Sequence, residues 1–368
     1  MAKRPEKAEE AAPPWPAPRL NPRLVGHEAA EAALLAAVTS GKLPHAWLIT
    51  GPRGIGKATL AHRFARFLLA GDPGGGLFGG PTSIETDMNV PVVHRVAAGG
   101  HADLRVVERS VSDRGRLRTE IVVEDVRELG QFMRLTPAEG GWRVAVIDAA
   151  DEMNRNAANA VLKILEEPPA RAILLLVAHA PGRLLPTIRS RCRRLNLSAL
   201  SDDTVVALMG DYLPEMAAEE RTALARLAGG SVGQALELAR AGGLELYRGM
   251  IDLLAGLPSL DVAAAHAFAD RVARRTEEGD SDYRTVAFLL DWWLTSLIRH
   301  GAAGQGRAAA LVAREDGLRE KMLAAAGLDR WMQVWEKIAH LFARADAVNL
   351  DRKQVVLGSF LALQAVTR

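Results

Sequence analysis

One cysteine, Cys192, stands among 368 residues. That excludes an intrachain disulfide and any multi-cysteine zinc site, and it suits a reducing, cytoplasmic setting. No apolar run reaches the roughly 18 residues that a membrane-spanning helix needs. The N-terminus, Met1 to Arg19, is polar and Pro-rich and holds no apolar stretch to serve as a signal peptide; a disordered arm is expected over 1–19. Net charge is also scarce: 46 basic against 44 acidic side chains leave +2, so the chain is no basic nucleic-acid wrapper, and any DNA contact must come from a local patch. What remains is the composition of a globular protein, 49% apolar and 24% charged, long enough for two or three domains.

The first half alternates between two periodicities. Ala46 to Thr50 reads as a short buried strand that runs into a Gly-rich turn, and Ala58 to Ala70 follows with Leu60, Phe64, Phe67 and Leu68 at helical spacing. Leu104 to Val107, Val144 to Asp148 and Ala172 to Ala178 are further apolar strands, interleaved with helices over Val123 to Leu135 and Asn156 to Glu167. Pro168-Pro169 stops the second of these helices. Continuous apolar strands alternating with helices predict a parallel sheet covered on both faces. Gly71 to Val90 is rich in Gly, Pro and polar residues and reads as a loop or insertion. After about Ser198 only helical patterns remain, broken at Gly229-Gly230, Gly242-Gly243 and Gly301 to Gly306. The expected division is an arm (1–19), an α/β domain (20–198), a small helical lid (199–242) and an all-α domain (243–368).

Strand, glycine turn and helix is the order that a phosphate-binding loop requires, and Gly51-Pro52-Arg53-Gly54-Ile55-Gly56-Lys57 carries its core. The glycines let backbone N–H groups turn inward on phosphate oxygens, Lys57 adds a charge, and the helix beginning near Ala58 adds its positive end. Gly51, Gly54, Ile55, Gly56, Lys57, Ala58 and Thr59 are therefore the candidate phosphate contacts; the alternative is a tight turn with a surface lysine. A complete motif places Ser or Thr directly after the lysine to hold Mg²⁺. Here Ala58 stands there, and Thr59 is rotated about 100° away along the helix. Asp148 ends its strand either as a support for the metal or as a cap for the following turn. Asp151 and Glu152 lie beyond the strand end and are expected to face elsewhere.

Several stretches together resemble the clamp-loader AAA+ family of bacterial DNA polymerase III, and its delta-prime branch most. They are Leu43 to Leu48 leading into Gly51 to Lys57, His101-Ala102-Asp103-Leu104, Ile121 to Arg127, and Asp148 to Asn154 with Ala157 to Lys163. Glu166-Glu167-Pro168-Pro169 and Leu184 to Cys192 complete the set. The resemblance covers roughly 20–240; beyond it the chain matches only as a helical collar, by position and by Asn349 to Lys353. It implies an AAA+ P-loop domain, a helical lid and a collar.

Set against the family pattern, four positions stand out. Ala58 replaces the metal-holding hydroxyl, Ala149 the glutamate that polarises water, Ala178 the polar sensor, and Gln234 a sensing arginine. His179 is either a displaced sensor or a solvated loop histidine. Each loss removes a different part of ATP hydrolysis, so the resemblance implies a degenerate Walker B strand at Asp148 and little turnover, with weak ATP or ADP binding left open. Relatives with a four-cysteine zinc module carry it after the first helix; Gly71 to Val90 has no cysteine, so no zinc is expected. Arg191, in Ser190-Arg191-Cys192, is implied as an arginine finger acting in trans on the ATP of a neighbouring tau/gamma subunit. The implied partners are tau/gamma and delta subunits, the sliding clamp (beta) and primed DNA, without a membrane. Alternatives are an ATP-hydrolysing tau/gamma-type subunit, a stand-alone P-loop enzyme such as a nucleotide kinase, and a structural spacer without a role for Arg191.

Overall fold

The computed structural model describes residues 15–71, 80–112, 115, 117–139, 141–274, 281–303, 310–348 and 350–368. They form two compact units, one of Pro13–Leu213 with Gly229–Gln234, the other of Pro214–Ala228 with Ala235–Arg368. Most of the expected arm (1–14), part of the expected loop (72–79), part of the Gly301 to Gly306 break (304–309) and Asn349 lie outside the described residues.

The first unit is built on five parallel strands: β1 (Ala46–Thr50), β2 (Leu104–Val107), β3 (Arg143–Asp148), β4 (Ala172–Ala178) and β5 (Arg193–Asn196). Their order across the sheet is β2-β3-β4-β1-β5. Among the described residues, seven α-helices belong with them: α1 (Glu28–Thr39), α2 (Lys57–Leu69), α3 (Pro91–Ala97), α4 (Val123–Arg134), α5 (Arg155–Glu166), α6 (Pro186–Arg191) and α7 (Asp202–Tyr212).

The uninterrupted apolar runs of the inner strands follow from their burial on both faces. Trp47, Ile49, Val144, Val146, Ile173, Leu175 and Val177 join one core with α1 and α2. Ala46, Leu48, Ala145, Ile147, Leu174 and Leu176 join the other with α4, α5 and α6. Successive residues of a strand point to opposite faces, so each inner strand feeds both cores and keeps polar side chains to its ends, as at Thr50, Arg143 and Asp148. Strand β5 escapes the sequence pattern because it is an edge: Arg193, Arg194 and Asn196 are exposed and only Leu195 is buried. Charged side chains on an edge strand also discourage pairing with another sheet.

Helix α2 is buried on almost every side, and its polar residues are held by the chain segment that precedes α1. Arg66 donates to the carbonyls of Arg19 (2.7 Å) and Asn21 (2.8 Å). Arg63 pairs with Glu31 at 2.9 Å and donates to the Pro22 carbonyl. The expected arm therefore ends earlier than residue 19. Residues 17–21 close a turn in which Leu20 and Asn21 donate to the Ala17 carbonyl at 2.8 and 3.0 Å.

At the edge of the sheet where the strands begin, Asp103 and Arg143 form a buried pair at 2.9 Å, with side chains 2% and 5% exposed. Asp103 also accepts the N–H groups of Ala138 (2.9 Å) and Glu139 (3.1 Å). Arg143 reaches the Phe132 carbonyl at 2.8 Å and lies over the Phe132 ring. One carboxylate and one guanidinium thus fix the end of α4, the following turn and the start of β3. This is the structural meaning of the His101-Ala102-Asp103-Leu104 stretch.

The second unit is all helix: α8 (Ala218–Ala228), most of α9 (Val232–Arg240), α10 (Gly243–Ala255), α11 (Val262–Ala273), α12 (Ser281–Ala303), α13 (Glu315–Ala325), α14 (Leu328–Val348) and α15 (Arg352–Thr367). Trp293, Trp331, Tyr247 and Phe360 are its largest fully buried side chains. Helix α11 packs on α15, and α12 on α14. A buried Glu315–Arg319 pair at 2.6 Å fixes the first turn of α13, and Glu315 also accepts the Leu311 N–H at 2.7 Å.

Replacing Asp103 by Ala strands Arg143 in the interior without its counter-charge. A loss of about 3 kcal/mol is expected, read as a lower urea midpoint with the slope unchanged.

Candidate functional site

Parallel strands place every loop that follows a strand on the same edge of the sheet. The tips of β1, β3 and β4 accordingly bring together the P-loop, Asp148 and His179. The P-loop turns through three glycines with positive φ: Gly51 (146°), Gly54 (76°) and Gly56 (106°). At Gly51 a Cβ would sit 2.4 Å from the Leu197 carbonyl oxygen, so side chains are excluded by space as well as by conformation. Ile55 anchors the loop in the core, and His27 donates from Nε2 to the Ile55 carbonyl at 2.7 Å.

Lys57 is buried, and its ammonium donates to the carbonyls of Gly51 (2.8 Å) and Pro52 (2.5 Å). Burial depresses it to about 8, although the charges of Asp148 and Asp151 pull the other way. Thr59 is buried in α2 and Ala58 is half-buried.

A second glycine contact closes the loop from the far side. Gly54 packs directly on Gly233, whose N–H donates to the Gly54 carbonyl at 2.9 Å. Ser231 donates to the Arg53 carbonyl at 2.7 Å and accepts the Gln234 N–H at 3.1 Å. A Cβ on Gly54 would lie 2.4 Å from Ser231 Oγ, and one on Gly233 would lie 2.9 Å from Gly54 Cα. Gly230-Ser231-Val232-Gly233 is thus a seat for the P-loop backbone. Each glycine motif is visible in the sequence by itself, but their pairing across 178 residues is not.

Asp148 ends β3 with its carboxyl pushed up to about 6. Burial is the main cause and the charge of Glu108 the next, partly offset by Lys57. The turn after it closes through backbone, Glu152 N–H to Ala149 carbonyl at 3.0 Å. Ala149 and Ala178 are buried, at 4% and 0% exposure, and their side chains offer the site no polar atom.

Two expectations need correction. Asp151 does not face elsewhere: it accepts the N–H groups of His179 (2.9 Å) and Ala180 (2.8 Å), clamping the tip of β4 to the turn after β3. Only Glu152 turns aside, to Arg109 at 2.9 Å. Nor is His179 a solvated loop residue. Its ring is half-buried with Nδ1 enclosed and unpartnered, and burial followed by the charge of Lys57 holds it down to about 4. It is therefore a neutral imidazole at pH 7, within electrostatic reach of the P-loop lysine.

Arg191 lies elsewhere. It ends α6, two residues before β5, and Arg193 pairs with Trp47 near the beginning of β1. The P-loop follows Thr50 at the other end of that strand, on the order of 10 Å away along the strand direction. Arg191 donates to Glu166 at 3.0 Å and to the Thr187 carbonyl at 3.2 Å.

The raised Asp148 carboxyl gives a signed pH test. Between an ordinary aspartate near 3.8 and the folded value of about 6, the folded chain holds a proton that the unfolded chain has released. Stability therefore falls as pH rises through that window. Asp148→Asn lacks the effect, so it should gain on the parent from pH 4 to 6, by on the order of 3 kcal/mol, and hold that gain above pH 6. Urea unfolding at a series of pH values reads it.

Residues 26–201 match the profile of the family described as "DNA polymerase III, delta subunit". The chain is 37% identical over 187 residues to DNA polymerase III subunit delta' of Pseudomonas aeruginosa, covering 51% of this chain and 53% of that one. It is 33% identical over 186 residues to subunit gamma/tau of Mycobacterium tuberculosis, covering 50% and 30%. It thus spans about half the length of the first relative and less than a third of the second. A solved gamma subunit-related protein of Thermotoga maritima aligns with TM-score 0.42 and 16% identity, over 92% of this chain and 99% of the other. With a P-loop and a parallel sheet on the same stretch of chain, residues 26–201 are similar to the clamp-loader subunits of DNA polymerase III.

Proposed function

We propose that this chain is the delta-prime-type subunit of a DNA polymerase III clamp loader, a cytoplasmic protein that assists a neighbour's ATP hydrolysis and turns over little ATP itself. In this reading 199–242 is a lid and 243–368 a collar that packs with those of tau/gamma and delta subunits. The assembly opens the sliding clamp and places it on primed DNA.

One observation carries the reading: an intact phosphate cradle whose chemistry has been taken away. The backbone turn, its three glycines and Lys57 are all in place. Beside them stand Ala58, Ala149 and Ala178, and Gln234 on the closing seat. No carboxylate directly follows Asp148 to take a proton from water, and losing one such group typically costs about 10²-fold or more in rate. Weak binding of ATP or ADP through Gly51, Gly54, Ile55, Gly56, Lys57, Ala58 and Thr59 is compatible with that loss; efficient hydrolysis is not. No zinc is required.

The position of Arg191 supports action in trans. It lies on the sheet edge opposite its own P-loop, and in this reading it serves a nucleotide held by another subunit, where a guanidinium stabilises charge developing on the γ-phosphate. A tau/gamma-type motor is the competing reading, favoured by the 33% identity to gamma/tau. Ala58 and Ala149 count against it.

In a loader reconstituted with tau/gamma and delta subunits, Arg191→Ala should slow hydrolysis at the adjoining site by about 10²-fold. Clamp- and DNA-dependent ATPase and clamp loading both read it, and wild-type values in both would remove the trans role.

A further inference from the structure

The Arg191 guanidinium is held by its own chain before any partner is present. Its Nη2 donates to Glu166 Oε1 at 3.0 Å and its Nη1 to the Thr187 carbonyl at 3.2 Å. A guanidinium carries five N–H donors in a rigid plane. These two contacts leave one N–H on each terminal nitrogen, and Nε, on a side chain that is 38% exposed. The fork is thus fixed in direction without being used up.

Glu166 is an unusual residue for this place. It is the last residue of α5, at the helix end where a carboxylate is disfavoured by the backbone dipole. Lys163 in the same last turn eases the cost for the helix, and the carboxylate itself pairs with Arg191, at the end of the neighbouring α6. Helices α5 and α6 pack on each other, and their buried residues Val161, Leu165 and Ile188 share one core, so the two charged ends are carried on a stiff support. Meanwhile, Pro168-Pro169 prevents α5 from continuing past the pair.

We propose that Glu166 is the positioning residue of Arg191: it holds the guanidinium extended at the sheet edge, so that the neighbour's γ-phosphate meets a fork already aimed. The proposal rests on the reading of Arg191 as a group acting in trans. The pair is solvent-exposed and therefore weak, so it aims the side chain without trapping it. Preorganisation of this kind acts on the transition state, because a donor that need not be ordered during reaction costs nothing at that moment. Neither contact touches the Glu166 neighbour Glu167, which serves as an internal control.

The test uses the reconstituted loader with clamp and primed DNA, and measures kcat and KM for ATP. Glu166→Ala should lower kcat about fivefold, the size of one exposed ion pair, and leave KM unchanged. Glu166→Gln, which keeps the acceptor oxygen, should lose less, and Glu167→Ala nothing. Adding Glu166→Ala to Arg191→Ala should give no further loss, and size-exclusion chromatography should show every variant assembled. If Arg191→Ala is slow while Glu166→Ala is unchanged or faster, the positioning role is wrong and the trans role stands. An equal loss from Glu166→Ala in the presence and absence of Arg191 also overturns it. If Arg191→Ala itself is unchanged, the trans reading fails and the positioning role with it.

Discussion

All five strands of the first unit run the same way, and that constraint sorts its polar residues. Whatever follows a strand lies on one edge of the sheet; whatever precedes one lies on the other. Lys57, Asp148 and His179 fall on the first edge, the P-loop edge. Asp103, Arg143 and Arg191 fall on the second. A parallel sheet therefore separates the P-loop from Arg191, using one layer of buried backbone as the partition.

On the P-loop edge the electrostatics are those of a quiet site. Burial lowers Lys57, raises Asp148 and lowers His179, so each group is pushed toward its neutral form. Desolvation penalises charge, and the few charges present only partly compensate one another. Asp151 spends its carboxylate on two backbone amides and so joins the two loops. The Gly54–Gly233 contact ties the P-loop backbone to the residues that open α9, where Gln234 stands without a positive charge.

The inner strands, the P-loop and the helices after it were legible in the sequence because their signals are local. Continuous apolar runs, a glycine turn and 3.6-residue periodicity survive without tertiary context. Strand β5 was not legible, since an edge strand of Arg193-Arg194-Leu195-Asn196 buries one side chain and has no apolar run to display. The clasp of Asp151, the placement of His179 and the pairing of Arg191 with Glu166 were hidden for a different reason. Each joins residues 25 to 29 positions apart, and nothing in either partner's neighbourhood names the other. The Ser231–Gly233 seat lies further still, 178 residues from Arg53. Gly54 and Gly233 announce a need for space; only the fold says that each supplies the other's.

The account turns on a cradle that has kept its shape and lost its chemistry. ATP turnover by the purified chain alone, free of motor subunits and with Mg²⁺ in excess, tests it most directly. Phosphate release should stay at the level of a Lys57→Ala control. Steady hydrolysis well above that control, abolished by Lys57→Ala, would contradict it.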